Sequence, residues 1–215
     1  LQVQGYYDFV ERFTDDGGGY FLANTYDLDV QHSLALGSRN QLVWDGGVRA
    51  TRIHLVGNSA LMFQPTRRTL LLGSVFAQDT FALTRTVDLI GGLKAEDDPY
   101  AGVSVLPNLR LSWKPAKAVL LWGAVSRAVR SPTPFDADVI EQLNGADFLV
   151  GNKDFRTEKL TAFELGTRIQ AASGLSASLS GFYNLYDDLR SVEFDPVTLL
   201  PLHWGNRLEG HSYGL

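Results

Sequence analysis

The side chains that could bind a metal in this 215-residue sequence are four histidines and one short acidic run. The histidines are His32, His54, His203 and His211. They lack the close spacing on a helix or hairpin that converging zinc ligands need, and the gap between His203 and His211 corresponds to about 26 Å along one strand. The acidic run at residues 96–98 could hold Ca²⁺ through carboxylate oxygens, but a solvated acidic loop is the favoured interpretation. We therefore predict no metal site.

The sequence also lacks the motifs of covalent and nucleotide chemistry. It has no cysteine, which excludes a disulfide scaffold and a cysteine-ligated metal. Neither a Gly-x-Ser-x-Gly elbow nor a zinc-binding histidine motif occurs, and no helix-forming segment follows the three glycines at residues 17–19, which disfavours a phosphate cradle. The net charge of −5 and the pI near 5.3 argue against a nucleic-acid partner. We expect no enzymatic activity and no cofactor.

Two arginines, Arg127 and Arg130, lie just before a long loop that begins at residue 131. One of them could face the interior of the fold and attract an anionic ligand, because a charged cleft focuses the electrostatic field. Structural pairing with Asp136 or Glu158 is the competing interpretation and is favoured over ligand binding.

The long loop itself carries a helix signal. Residues 138–141 resemble a capping box with aspartate in the cap position, which predicts a short helix that Asn144-Gly145 would end. Two roles are open for this loop: it could close over a ligand, or it could pack against its neighbours.

The elements that hold these side chains are predicted to be β-strands. No run of about 18 apolar residues exists, so the sequence contains no transmembrane helix. Residues 24–36 alternate with a period of two, which a helix would not do. One face of this strand carries Tyr26, Leu28, Val30, His32, Leu34 and Leu36. Charged residues of this and other strands fall on the opposite face, and His32 is the exception.

About ten such strands are predicted, joined by connections that are alternately long and short. Five long loops are expected on one side, around residues 15–19 and at residues 53–68, 96–105, 131–157 and 189–199. Strand lengths suit a bilayer crossing, and long loops on one side with short turns on the other are typical of outer-membrane barrels. Two aromatic girdles are predicted, with Trp44, Trp113 and Trp122 at the periplasmic ends and Tyr26 and Tyr183 nearer the external ends.

Several segments resemble one family in order and spacing. They are SRAVRSPTPFD at 126–136, GNKDFRTEKLTAFELGTR at 151–168 and FYNLYDDL at 182–189, with FAQDTFAL, PNLRLSWKP and WGNRLEGHSYGL around them. Together they resemble TonB-dependent outer-membrane receptors over most of the chain from Thr69 onward. Thr157 stands where that family commonly has proline, and Phe155 where it commonly has leucine.

The resemblance implies a 22-stranded up-and-down transmembrane β-barrel with an N-terminal plug domain inside it. It implies energised uptake of a scarce ligand, usually a ferric siderophore, with cobalamin, haem or glycans as other cargoes. Implied partners are the TonB complex, reached through the plug, and outer-membrane lipid with lipopolysaccharide, in a Gram-negative cell. Since the chain opens and stops inside strands and has no signal-peptide features at its start, residues 1–215 are expected to form one partial all-β barrel domain without the plug.

Other classes are weighed against this expectation. An outer-membrane enzyme or a passive porin would use a smaller closed barrel of about ten strands, and a soluble β-sandwich is the least favoured class. The residues predicted to bind ligand at the external mouth are Arg127, Arg130, Phe148, Tyr100 and Trp204.

Overall fold

A computed structural model describes residues 1–14, 19–172 and 174–215. The triglycine segment and the tight turn expected around residue 173 fall wholly or partly outside the described residues. Thirteen strands and one helical turn are formed. In chain order they are β1 (Gln2–Phe13), β2 (Tyr20–Leu36), β3 (Asn40–Val56), β4 (Leu61–Phe63), β5 (Arg67–Ala82), β6 (Val87–Asp98), β7 (Gly102–Ala116), β8 (Val119–Arg130), α1 (Pro134–Ala137), β9 (Val139–Leu143), β10 (Ala146–Val150), β11 (Glu158–Ala172), β12 (Leu175–Glu193) and β13 (Leu202–Gly214).

All thirteen strands belong to one sheet, in the order β1-β2-β3-β5-β6-β7-β8-β11-β12-β13-β10-β9-β4. The ten long strands follow one another as antiparallel neighbours, which confirms the expected up-and-down order and strand number. Within the described residues β1 pairs only with β2, so these ten strands do not close on themselves. A closed ten-stranded barrel, on which the enzyme and porin alternatives depended, is therefore not what this chain forms.

The register assigns every long strand an apolar face and a polar face. Directly paired residues share a face, and one such row runs from Leu109 through Val125 and Phe163 to Tyr183. These apolar side chains are exposed, with Leu165 of the same face 71% accessible. The pairing also fixes the facing of β5, which three successive leucines obscure in the sequence: Leu71 and Val75 lie on the apolar face.

The polar face carries the charges that the sequence placed there. Asp27 pairs across the ladder with Arg49, whose Nε donates to Asp27 Oδ2 at 2.8 Å. A recess of about 590 Å³ on this face is lined by five carboxylates and two cations, which leaves an excess of three negative charges. The charged residues are Asp27, Asp29, Asp45, Glu96, Asp98, Arg49 and Lys94.

The tryptophan girdle is only partly as predicted. Trp44 and Trp113 lie on the apolar face near the short turns, and His32 packs edge-on against Trp44 with ring centroids 5.9 Å apart, which accounts for a histidine on that face. Trp122 lies on the polar face instead, where it pairs with Gly166, and a Cβ on that glycine would collide with the indole. The absent side chain at position 166 makes room for the ring.

Connections of two to four residues join the strands at one end of the sheet, which we call the turn end. The opposite, loop end carries the longer connections, as expected, with three corrections to their predicted bounds. The predicted loop at 189–199 is the connection 194–201, because β12 continues to Glu193 and β13 begins at Leu202. The predicted loop at 96–105 is a turn of three residues, 99–101, because β6 and β7 extend to Asp98 and from Gly102. The predicted loop at 53–68 is also shorter, since β3 continues to Val56 and the connection contains β4.

Among the described residues, no helix is long and apolar enough to span a membrane.

Candidate functional site at the loop end of the sheet

The best-buried residues of the described chain cluster at the loop end of the sheet. Most of them belong to the connection of residues 131–157, which we call the 131–157 loop, and they include charged groups. They are Asp136, Ala137, Asp138, Val139, Leu149, Phe155 and Thr157. This loop is therefore a packed structure with its own small core.

The loop begins with a single helical turn, α1, that Thr133 caps. The backbone N–H and the hydroxyl of Thr133 both donate to Asp136 Oδ2, at 2.9 and 2.8 Å. Pro134 occupies the first helical position, where its missing N–H costs nothing. The turn ends at Ala137, and Asp138 follows it as the C-terminal cap.

The helix predicted at residues 138–141 is wrong. Those residues begin β9, which forms an antiparallel hairpin with β10. Asn144 and Gly145 both have positive φ, 53° and 79°, which is the geometry of a two-residue type I′ hairpin turn. The β-branched Val139 and Ile140 suit a strand, so Asn-Gly here turns a hairpin and does not end a helix.

The hairpin bridges two distant parts of the sheet. Leu149 and Val150 of β10 pair in parallel with Leu202 and His203 of β13. On its other side, β9 pairs with β4, which lies in the connection between β3 and β5. At the loop end, β10, β9 and β4 thereby link β13 to the connection between β3 and β5.

Asp136 is the centre of the ion pairs that hold the loop. Its side chain is fully buried and contacts two cations: Arg130 Nη1 at 3.0 Å and Arg190 Nη1 at 3.2 Å. Arg130 also makes a bidentate pair with Glu158, at 2.7 and 2.9 Å. Burial alone would raise the pKa of Asp136, but hydrogen bonds from Arg130 and Thr133 outweigh burial and hold that pKa below its ordinary value.

A second buried carboxylate, that of Asp138, ties the loop to β5 and to the turn between β6 and β7. Arg68 of β5 donates from Nε to Asp138 Oδ2 at 2.7 Å and also from Nη2 to Oδ1. The hydroxyl of Tyr100 donates to the same Oδ2 at 3.0 Å, and the Arg68 guanidinium lies 5.1 Å from the Tyr100 ring centroid. Burial first, and then the Asp138 carboxylate, raise the pKa of Tyr100, so this phenol stays a donor at physiological pH.

An aromatic cluster fixes the remaining side of the loop. The Arg190 guanidinium lies 4.6 Å from the Trp204 ring centroid, and Trp204 Nε1 donates to the Phe135 carbonyl at 3.1 Å. Asn152 Nδ2 donates to the Trp204 carbonyl at 2.9 Å. The glycine before it, Gly151, passes so close to α1 that a Cβ there would lie 2.6 Å from a backbone atom of Ala137.

Three of the five residues predicted to bind ligand meet in this network, and there they anchor the loop. Arg130 pairs with Asp136 and Glu158, which confirms the favoured structural pairing. Tyr100 holds Asp138, and Trp204 lies under Arg190. All three lie at the loop end, as expected.

The other two predicted residues do not join the network. Phe148 is half-buried at the bulge of β10. Arg127 is exposed opposite Thr161, on the same face as Val125, because three positions separate it from Arg130 and side chains alternate along a strand. Of the two arginines at the root of the loop, Arg130 is thus the one on the polar face.

Sequence reasoning missed Arg68 and Arg190 altogether. They are 70 and 54 residues away in sequence from the carboxylates they contact, and no local pattern marks them. The only available signal was Asp136 and Asp138 in a segment that also contains apolar residues, since a buried carboxylate requires partners.

The residues first considered for metal binding have other contacts. The hydroxyl of Tyr20 lies 2.8 Å from His54 Nδ1, and both His203 and His211 lie on β13. In the acidic run, Asp98 Oδ1 accepts the backbone N–H groups of Tyr100 and Ala101 and so shapes the turn. No group of three potential metal ligands converges in the part of the chain that the structure describes.

Comparison with known proteins agrees with this architecture. Over 150 residues, the chain is 27% identical to the iron-regulated outer membrane virulence protein of Vibrio cholerae serotype O1 (strain ATCC 39315 / El Tor Inaba N16961), which covers 65% of this chain and 23% of that protein. The chain thus spans about a quarter of that relative's length.

Solved structures share the fold at low sequence identity. The siderophore receptor PirA from Pseudomonas aeruginosa matches with a TM-score of 0.72 and 20% identity, over 90% of this chain and 38% of that one. The ferric enterobactin receptor PfeA in complex with BCV-L6 matches with a TM-score of 0.74 and 18% identity, over 91% of this chain and 33% of that one.

Residues 2–210 match the family described as TonB dependent receptor-like, beta-barrel. This match assigns the two faces of the sheet: the apolar face is turned to lipid and the polar face to the barrel interior. The loop end is then the external mouth, and the location is the outer membrane of a Gram-negative cell. The chain belongs to the TonB-dependent receptor β-barrel family.

Proposed function

We propose that the protein containing this chain takes up a ferric siderophore, or another iron complex, across the outer membrane with energy supplied through TonB. The observation that carries the proposal is the family match over residues 2–210. The cargo is suggested by the relatives, which are described as an iron-regulated outer membrane protein and as siderophore receptors. These are transport receptors, and we propose that this protein likewise makes no covalent change to its ligand.

In this proposal the 131–157 loop is a fixed part of the mouth. Its two buried carboxylates, each held by charged or aromatic partners, and its pairing with β4 and β13 support a loop that keeps one position. Arg130, Tyr100 and Trp204 would then serve the ligand by holding the loop in place. Phe148, half-exposed on the hairpin, is the predicted residue best placed for direct contact.

Charge does not support capture of an anion by this part of the barrel wall. Arg130 is neutralised by two carboxylates, and the recess beneath Ser131 has an excess of negative charge. We therefore propose that any attraction of an anionic chelate comes from other parts of the receptor. The proposed partners are the TonB complex, reached through a plug domain, and the lipids of the outer membrane, including lipopolysaccharide.

Uptake of ⁵⁵Fe-labelled siderophores by iron-starved cells tests the proposal. Cells that express the intact receptor should accumulate at least one ferric siderophore, and an otherwise identical strain without TonB should not. Equal uptake with and without TonB would indicate a passive pore. Absence of uptake across a panel of iron complexes would remove iron as the cargo.

A further inference from the structure

The lipid-facing side of the sheet carries a basic patch at its loop end that the transport function does not use. Two successive rows of paired residues form it. Asn24, Arg52 and Thr69 pair across β2, β3 and β5 in one row, and Leu22, His54 and Arg67 pair in the next row outward. Both rows have the facing of Tyr26 and Leu71, because residues two positions apart on a strand share a side.

Arg52 and Arg67 are diagonal neighbours, a relation that places Cβ atoms about 7–8 Å apart. They border a recess of about 440 Å³ that Asn24, His54 and Thr69 also line. Both arginines are exposed, and neither forms an ion pair with any residue that the structure describes. The nearest acid of the same rows, Glu11, lies three strands from Arg67, or about 14 Å.

The recess also offers neutral donors. Asn24 Oδ1 accepts the Tyr7 hydroxyl at 2.8 Å, which leaves the Asn24 Nδ2 amide free to donate outward. Thr69 pairs directly with Arg52 and lies two positions from Arg67 on β5, so its hydroxyl belongs to the same recess. Two guanidinium groups with amide and hydroxyl donors form a set that suits a phosphate group.

The depth of this patch matches the headgroup region. One row toward the middle of the sheet lie Tyr26 and Leu71, which are 48% and 58% exposed, and the next row contains Leu28 and Val48. Aromatic residues mark the boundary between acyl chains and headgroups in membrane barrels. Exposed Phe9 pairs with Asn24 in the row of Arg52, so Arg52 and Arg67 lie within this aromatic boundary, at the depth where phosphates of the outer leaflet are found.

We propose that Arg52 and Arg67 bind a phosphate group of lipopolysaccharide at this rim of the barrel, with Asn24 and Thr69 as additional donors. This proposal deepens the lipid partner named above, and it depends on the outer-membrane location but not on the identity of the cargo. The patch would hold one lipid against β2, β3 and β5.

The test is lipid binding by the purified intact receptor in detergent, measured by native mass spectrometry. The probes are lipopolysaccharide, the same lipid after enzymatic removal of its phosphates, and inorganic phosphate. The variant is R52Q with R67Q. The matched control is R39Q with R85Q, two exposed arginines in connections at the turn end. Folding of each variant is checked by its heat-dependent electrophoretic mobility, and siderophore uptake is measured in parallel.

The wild-type receptor should bind phosphorylated lipopolysaccharide at least about tenfold more tightly than the dephosphorylated lipid, because each charge-assisted pair is lost with the phosphate. The R52Q/R67Q receptor should lose this preference while the control keeps it, and uptake should continue in both. Equal binding of both lipids by the wild type would overturn the proposal even if a variant failed to fold. An equal loss of this preference in the R39Q/R85Q control would also overturn the proposal. Displacement of the lipid by inorganic phosphate at comparable concentration would do the same.

Discussion

At Asp136, one buried carboxylate organises two arginines and a helix cap. The local part of this arrangement could be predicted, since Asp136 and Glu158 were foreseen as partners of Arg130. The second cation, Arg190, could not, because its distance in the chain leaves no periodic signal. The same holds for Arg68 and Asp138. The sequence placed Tyr100 and Trp204 at this end as ligand-binding residues, which stays a prediction, and the structure shows that both also contact the loop and its partners.

Replacing the buried carboxylate should loosen the 131–157 loop. Asp136→Asn leaves Arg130 and Arg190 without their shared charge, and removing one partner of a buried pair costs about 3 kcal/mol. Hydrogen exchange of residues 136–152 should accelerate by about a hundredfold if opening is local. The control is Arg207→Gln, which removes an exposed pair with Glu193 and should change exchange by less than about fivefold. Unchanged exchange in Asp136→Asn would show that the ion pairs do not hold the loop.

Acid should release the loop only at low pH. The pKa of Asp136 in the folded state lies below its ordinary value of about 4. The stabilisation that ionised Asp136 gives to the folded loop is therefore complete above that ordinary value. It is lost as the pH falls through the lower, folded-state value. A spin label at Leu143→Cys, near the hairpin tip, should keep one mobility from pH 7 to 5 and become more mobile below about pH 4. Release between pH 7 and 5 would contradict this assignment.

At the scale of elements, the alternation of apolar and polar residues predicted strands correctly where one face of the strand is strongly apolar. The strand at residues 24–36 was predicted for that reason, and β2 extends it at the N-terminal end. Alternation failed at residues 96–105, because Glu96 and Asp98 line the barrel interior and resemble loop residues in sequence. It failed again at residues 138–141, where a local capping pattern competed with β-branched residues and an Asn-Gly turn. Residues 139–143 form a strand and not a helix because β9 pairs with β4 and its hairpin partner β10 pairs with β13.

The hairpin should depend on the glycine that lets it pass α1. In Gly151→Ala the new Cβ would lie 2.6 Å from the backbone of Ala137, so α1 and β10 must separate. We expect cleavage within residues 131–157 by added protease to become at least about tenfold faster. This corresponds to a loss of about 1.4 kcal/mol or more in the free energy of opening the loop. Gly73→Ala is the control, because its Cβ meets nothing within 4 Å and its φ is not positive. Equal resistance of both variants to protease would refute the close-packing explanation.

At the scale of the whole molecule, the sequence predicted the number of long strands, the two faces of most of them and the end that carries the long connections, whereas the facing of β5 required its pairing with β3. The link from β13 through β10 and β9 to β4 was not foreseen, because it depends on a parallel pair between β10 and β13 that no local pattern encodes. Nor could the sequence place Trp122, whose facing depends on Gly166 in the neighbouring strand. The open sheet, the lipid-facing apolar side and the packed 131–157 loop together describe one sector of a receptor wall.

The central claim is that the chain forms this wall with the 131–157 loop outside the cell, and sided labelling in intact cells tests it most directly. Single cysteines are introduced into the full receptor at Leu143 in the loop and at Lys117 in the turn between β7 and β8, both of them exposed positions. A membrane-impermeant maleimide should label Leu143→Cys in whole cells, and it should label Lys117→Cys only after the outer membrane is broken. Labelling of Lys117→Cys in intact cells, with Leu143→Cys protected, would contradict the account.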